Sequence, residues 1–428
     1  MKRALVLAGG GSKGSYEAGF MKALKELGID YQIVTGTSIG ALNGCLLAQN
    51  DQDAMENLWQ TLDISKVFAG GFSPDFNFDL DTMLDQSNLV VSFFKKYLKE
   101  KGADITPLKN IIRGLLDEDK LLSSPIDFGL CTVHYPSLKP LLITKLEMEK
   151  EYIFDYLISS ASCFPVFPIH SFKNESFIDG GYYDNVPIDL AFDMGADEVI
   201  VVDMHEEVTH KHYLNRPHVT YTSPYLDLGG FMDFSRESLD RNIRIGYQTA
   251  MKNFGNLVGV QYTFEAFSTP LISQFYKEVL YLERYTRALL RSDSSGNLVN
   301  KFMESHKEQP LLEEEYLYVA LDWLGQLTQK DPTYIYQFDQ FTDDLLKDFE
   351  KYLDKDFQML SFHSSEEWTK TIENISKKGM VGRLLHSMIY PKENNQDITK
   401  FLTLFSKEVV MARLLSMLYQ EKRLVAND

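Results

Sequence analysis

The chain has 428 residues, 44% of them hydrophobic, 13% aromatic and 24% charged, with a formal net charge of −18. Such a composition excludes a largely disordered or low-complexity protein, and the length exceeds what a single hydrophobic core usually spans, so two parts are expected. The acidic balance argues against non-specific binding to nucleic acid or to a strongly anionic bilayer.

In chain order, "RALVLAG" reads as a continuous apolar strand, and "SYEAGFMKALKELGI" as a helix with Tyr16, Phe20, Ala23, Leu24 and Leu27 on one face. Between them lies "GGGSKG" at 9–14. The plan repeats in "YQIVTGTSIGALNGCLLAQ", a short strand through Val34, a sharp turn from Gly36 to Gly40, then a helix of small and apolar residues. Two insertions follow, "VFAGGFSPDFNF" and "NLVVSFFKKYLKEKG". The second puts Leu89, Phe93 and Tyr97 near one face beside Lys95, Lys96, Lys99 and Lys101, which suits either a core-facing helix or a basic amphipathic one that meets a lipid surface. "IDFGLCTVHY" and "EVIVVDM" read as buried strands with helical "EKEYIFDYLISSA" between them. The alternation predicts an α/β domain with a mainly parallel sheet over residues 1–205. Beyond Met204 the patterns are mostly helical, as in "LLEEEYLYVALDWLGQL", "FTDDLLKDFEKYL" and "KFLTLFSKEVVMARLLSMLY", while "NRPHVTYTSPYLDLGG" and "RSDSSGN" read as loops. Residues 206–428 are therefore expected to form a helical region, with self-association among its conceivable roles.

Cys45, Cys131 and Cys163 are too few and too scattered for a disulfide framework or a zinc cluster, and no acidic pair has calcium-loop spacing. No metal or cofactor is expected. "ALVLA" is too short for a signal-peptide core, and no run approaches the ~18 apolar residues of a membrane span. The expected setting is cytoplasmic, with at most peripheral membrane contact.

Gly9, Gly11 and Gly14 satisfy a G-x-G-x-x-G pattern, so a dinucleotide site is one reading of the first turn. That site wants a carboxylate at the end of the second strand, where this chain has Thr35 and Gly36; a phosphate-binding loop fails too, because Ser15 and not lysine follows Gly14. The alternative starts from "GTSIG", in which Ser38 stands between Gly36 and Gly40 at a strand-to-helix turn. That is the pattern of a nucleophile held out of the backbone. A nucleophile attacking an ester needs N–H donors for the developing oxyanion, and side-chain-free Gly10 and Gly11, with Ser12, can supply them. Lys13 would hold that loop or add positive potential, or else be a solvated surface charge. A base is also needed. In "SFIDGGYYDNVPIDLA", Asp179 is followed by Gly180 and Gly181, a strand end that turns sharply enough to aim one carboxylate at a neighbouring loop. Asp184, Asp189 and Asp193 read as a turn residue, a helix cap and a solvated charge.

"GGGSKG", "GTSIG" and "DGG", in this order, make the chain similar to bacterial patatin-like phospholipases over about residues 3–205; "SSASCFPVFP" and "DNVPID" also resemble stretches of that family. The resemblance implies a three-layer α/β/α fold and hydrolysis of fatty-acyl esters by a Ser38–Asp179 dyad. A triad of Ser38, Asp179 and His205 is the mechanistic alternative, since "VVDMHEE" puts His205 just after a strand. His134 and His170 read as ordinary polar residues.

Overall fold

A computed structural model describes residues 1–69, 102–290, 298–307, 310–355, 357, 375–391 and 405–425. Most of "VFAGGFSPDFNF", the lysine-bearing segment 88–101 and the loop "RSDSSGN" lie outside the described residues.

The chain divides into two compact units, Met1–Gly255 and Asn256–Asp428. In the first, β1 (Arg3–Leu7) leads through a 3-10 turn at Gly11–Lys13 into α1 (Gly14–Glu26), then β2 (Ile33–Thr37) and α2 (Ile39–Ala48). Helices α3 (Gln52–Thr61), α4 (Ile64–Val67), α5 (Thr106–Leu115) and α6 (Glu118–Ser123) precede β3 (Asp127–Tyr135) and β4 (Pro140–Thr144). Helix α7 (Ile153–Ser160), β5 (His170–Phe172), β6 (Glu175–Asp179), α8 (Ile188–Asp193), β7 (Glu198–Val202), β8 (Val219–Thr222) and α9 (Arg236–Phe254) complete the unit.

Eight strands form one mixed sheet, hydrogen-bonded in the succession β5-β6-β3-β2-β1-β7-β8, and β4 also pairs with β3. The run β3-β2-β1-β7-β8 is parallel, and β4, β5 and β6 add antiparallel pairings. Strands β1 and β2 are almost wholly buried, as a parallel sheet covered by helices requires. Helix α1 buries Tyr16, Phe20, Ala23 and Leu24 as its spacing predicts. It stops where Gly28 takes φ 66° and the Ile29 N–H returns to the Leu24 carbonyl at 3.0 Å, a left-handed cap that a Cβ would strain.

The first unit runs past the expected boundary at 205, and the reason is α9. A Cβ on Gly19 of α1 would stand 1.9 Å from the Ile243 carbonyl oxygen, and one on Gly246 of α9 would stand 1.9 Å from that of Tyr16. The two helices cross backbone against backbone, so α9 belongs to the core of this unit. "NRPHVTYTSPYLDLGG", read as loop, contains edge strand β8.

The second unit is mostly helical, with α10 (Leu271–Leu290), α11 (Leu298–Ser305), α12 (Glu313–Leu327), α13 (Phe338–Asp348), α14 (Glu350–Leu353), α15 (Lys377–Ile389) and α16 (Ser406–Val425). It also holds a three-stranded sheet of β9 (Leu257–Val258), β10 (Thr263–Glu265) and β11 (Ile335–Tyr336), strands too short to leave a pattern in the sequence. Among the described residues no helix is long and apolar enough to cross a membrane.

Candidate active site

Strand register is what brings two distant motifs together. One edge of β3 is taken by β4, which pairs with Gly129–Val133. Both β2 and β6 must therefore use the other edge. Strand β2 ends there with Thr37 opposite Cys131, and β6, arriving from the opposite direction, ends with Asp179 opposite Thr132. The two strands meet end to end at adjacent positions of β3, so the residue after Thr37 faces the last residue of β6. The Ser38 hydroxyl donates to Asp179 Oδ2 at 2.7 Å.

Ser38 has φ 55° and ψ −123°, backbone that a side-chain-bearing residue rarely adopts. Its N–H donates to Ser160 Oγ at 2.9 Å, and that hydroxyl donates to the Cys131 carbonyl at 2.7 Å, so α7 and β3 hold the turn. The flanking glycines are required by space. A Cβ on Gly36 would stand 2.3 Å from the Gly40 carbonyl oxygen, and one on Gly40 would stand 2.5 Å from that of Ala8.

Asp179 is 3% exposed, and burial pushes its carboxyl up to about 7 against the opposing pull of hydrogen bonds from Ser38 and Gly181. The Gly181 N–H donates to Oδ1 at 2.8 Å, leaving Oδ2 aimed at the serine. Gly180 lets this turn lie on β3, since a Cβ there would stand 2.2 Å from the Cys131 carbonyl oxygen. A carboxyl that titrates near neutrality, bonded to a hydroxyl on a strained turn, can take a proton in neutral solution.

The glycine loop borders the same cleft, whose lining includes Gly9, Gly10, Gly11, Lys13, Ser38, Asp179 and Asn185. Gly9 is tied at both ends to Asn185: its N–H donates to the Asn185 carbonyl at 3.0 Å, and Asn185 Nδ2 donates to the Gly9 carbonyl at 3.1 Å. Gly11 has φ 58°, and a Cβ there would stand 2.2 Å from the Phe231 carbonyl oxygen. Ser12 departs from its expected role. Its N–H donates to the Phe231 carbonyl at 2.8 Å and its hydroxyl to that of Gly230 at 3.0 Å, so it anchors the loop and does not line the cleft. Gly14 packs beneath, its missing Cβ within 2.6 Å of Ile39.

A family model described as patatin-like phospholipase matches residues 5–192, a stretch that contains the glycine loop, the serine turn and the aspartate turn. Those residues belong to the patatin-like phospholipase family. The patatin-like domain is 28% identical over 201 residues to "Lysophospholipase nte1" of Aspergillus terreus, a match that covers 47% of this chain and 12% of that protein. It is 28% identical over 209 residues to "Patatin-like phospholipase domain-containing protein 7" of Rattus norvegicus, covering 47% and 13%. The chain thus spans about an eighth of the length of these relatives. Among solved structures it is similar to VipD from Legionella pneumophila, at 15% identity and a TM-score of 0.38 over 96% of this chain and 91% of that one. At that level the likeness adds nothing to the fold assignment.

The patatin-like domain keeps Lys13 out of solvent: at 6% exposure it lines the cleft and is not a surface charge. His205 also lines the cleft, but its Nδ1 pairs with Asp203 Oδ1 at 2.7 Å and not with Asp179. Burial would push the Asp203 carboxyl up; hydrogen bonds from His205, Tyr221 and Thr209 outweigh that and hold it below the usual carboxylate range. The Ser38 hydroxyl reaches Asp179 directly, with no histidine between them, whereas a triad would route its proton through His205. The sequence pattern missed Asn185 as the tie of the glycine loop, and Phe231 and Phe234, which line the cleft from beyond 205. A signal for Asn185 lay in "DNVPID"; none marked the two phenylalanines. Asp184 does act as a turn residue, accepting the Val186 N–H at 3.0 Å, whereas Asp189 accepts from Tyr213 O–H and caps no helix end. His170 pairs with Asp155 at 2.8 Å.

Proposed function

We propose that the protein is a serine acyl hydrolase that cleaves fatty-acyl esters of lipids through a Ser38–Asp179 dyad. The observation that carries the reading is the 2.7 Å hydrogen bond from Ser38 Oγ to a buried carboxyl raised to about 7. Asp179 accepts the hydroxyl proton as Ser38 Oγ bonds to the ester carbonyl carbon, and the carbonyl oxygen becomes an oxyanion. The N–H groups of Gly10 and Gly11, which Ser12 and Asn185 hold in place, receive that charge at the rim of the cleft. The tetrahedral species collapses with loss of the alkoxide, which takes the proton from Asp179 and leaves an acyl-serine. Water then gives its proton to Asp179, adds to the acyl carbon, and releases the fatty acid as Ser38 recovers its proton.

Lipid as the substrate class rests on the family and on the apolar side chains that share the cleft with the dyad, among them Ile39, Leu42, Leu62 and Phe167. The test is fatty-acid release from lysophosphatidylcholine, phosphatidylcholine and monoacylglycerol in mixed micelles. Wild-type protein is expected to release fatty acid from at least one of them and Ser38→Ala from none. Equal release by both, or none from any ester, would refute the proposal.

A further inference from the structure

The three segments of the candidate site are joined through one residue. The Asp184 N–H donates to the Gly180 carbonyl at 3.0 Å, and the Asp184 carbonyl accepts the Thr37 hydroxyl at 2.8 Å. Gly180 opens the turn that aims Asp179, and Thr37 immediately precedes Ser38. The next residue, Asn185, holds Gly9 at both ends, so the main chain at 184–185 is bonded to the aspartate turn, the nucleophile turn and the glycine loop together. A shift of this segment moves base, nucleophile and oxyanion donors relative to one another, and a displacement of about 1 Å at a reacting group can cost ~100-fold in rate.

What tethers the segment comes from beyond residue 205. Asp184 Oδ1 accepts the Val186 N–H at 3.0 Å, which closes its own turn, and also lies 3.2 Å from His210 Nε2. With its proton on Nε2 the imidazole donates to the carboxylate in either charge state. The two side chains are 28% and 16% exposed, so the bond is largely sheltered from water. The loop that carries His210 is itself pinned between two strands. Asp203, one residue past β7 and fully buried, accepts the N–H groups of His205 and Thr209 at 3.1 Å each and the O–H of Tyr221, on β8, at 2.5 Å. Tyr221 Oη in turn accepts the His210 N–H at 3.3 Å. A strut thus runs from β7 and β8 through His210 to Asp184.

Resting on the hydrolase reading above, we infer that His210 is a positioning residue for the reaction: through Asp184 it holds the nucleophile turn, the aspartate turn and the glycine loop in register. Its side chain does not line the cleft. Removing its hydrogen bond therefore loosens the geometry of the transition state while the apolar wall that binds the ester stays in place, so kcat falls and KM is spared.

The experiment measures kcat and KM for p-nitrophenyl butyrate in wild type, His210→Ala, His210→Asn, His210→Gln and Lys211→Ala, with the rate of Ser38 labelling by a fluorophosphonate in parallel and circular dichroism as the check of folding. Glutamine places its amide nitrogen near the position of imidazole Nε2 and still donates to Asp184; asparagine, one methylene shorter, does not reach, and alanine has no donor. The alanine and asparagine variants are expected to lose at least ~10-fold in kcat and in labelling rate with KM changed by less than about twofold, and the glutamine variant to recover most of both. Lys211→Ala, at an exposed neighbour that leaves the bond intact, is expected to match wild type. Equal activity of the asparagine and glutamine variants, a loss confined to KM, or the same loss in Lys211→Ala overturns the inference, and having two short side chains means that a folding defect in one does not decide the result. A wild type that neither labels nor hydrolyses the ester overturns the hydrolase reading and this inference with it, and is told apart from the other outcomes by the missing label.

Discussion

Ser38 and Asp179 are each held in a state that folding alone would avoid. At φ 55° the serine backbone is strained, typically by about 1–3 kcal/mol, and a glycine there would relax without loss of any other contact than the hydroxyl. Ser38→Gly is therefore expected to exceed Ser38→Ala in stability by about 1–2 kcal/mol in urea unfolding. Equal stability would mean the turn stores no strain. Asp179 titrates at about 7 in the folded protein, above its value of about 4 in an unfolded chain. The sign follows from proton uptake. Its contribution to stability is fully present below pH ~4 and is lost as pH rises through about 7, because the folded state must then hold a buried charge. Asp179→Asn should consequently melt at a higher temperature than wild type at pH 8, and the gap should close as pH falls toward ~4. Activity runs the other way, since the base works ionised: kcat/KM is expected to rise tenfold per pH unit below about 7 and to level off above it. A profile flat from pH 5 to 8 would contradict that role.

At the scale of elements, the sequence was most informative where chemistry demands a fixed residue type at a fixed spacing. The two glycine turns, the serine between Gly36 and Gly40, and the Asp179 turn can be read directly, because a Cβ at Gly11, Gly36, Gly40 or Gly180 would strike backbone. What the pattern could not reveal was the use of each N–H. Ser12 resembles its glycine neighbours as a donor until the Phe231 carbonyl, remote in sequence, accepts its N–H. The end-to-end meeting of β2 and β6 depends on which edge of β3 the hairpin strand β4 occupies, a tertiary choice without local trace. The crossing of α1 and α9 makes its own prediction. Gly19→Ala places a methyl 1.9 Å from the Ile243 carbonyl position and should cost about 2–3 kcal/mol, whereas Gly28→Ala, with open space around it, should cost about 1 kcal/mol through its φ alone. Thermal melts of the two variants check the order; the reverse order would mean that the helices can part cheaply.

For the whole molecule, the boundary was the least legible feature. Composition changes near 205, where the alternation of strands and helices ends, but the compact unit continues to Gly255. The last part, α9, carries charges along most of its length and a glycine at its contact with α1, so neither hydrophobic run nor period announces that it belongs to the α/β core. A fragment ending at 205 would leave the Gly19 face of α1 uncovered and is expected to lack a cooperative unfolding transition; one ending at Gly255 restores that cover and is expected to show it. Denaturant unfolding of both fragments, followed by circular dichroism, is the check. Cooperative unfolding of the shorter one would place the boundary back at 205.

A Ser38 nucleophile activated by Asp179 is read out by intact-mass measurement after exposure to a fluorophosphonate. Wild type and His205→Ala should each gain one phosphonyl adduct at Ser38, while Ser38→Ala and Asp179→Asn, verified as folded, should gain none. An unlabelled wild type, or labelling that survives in Asp179→Asn and disappears in His205→Ala, would contradict the account.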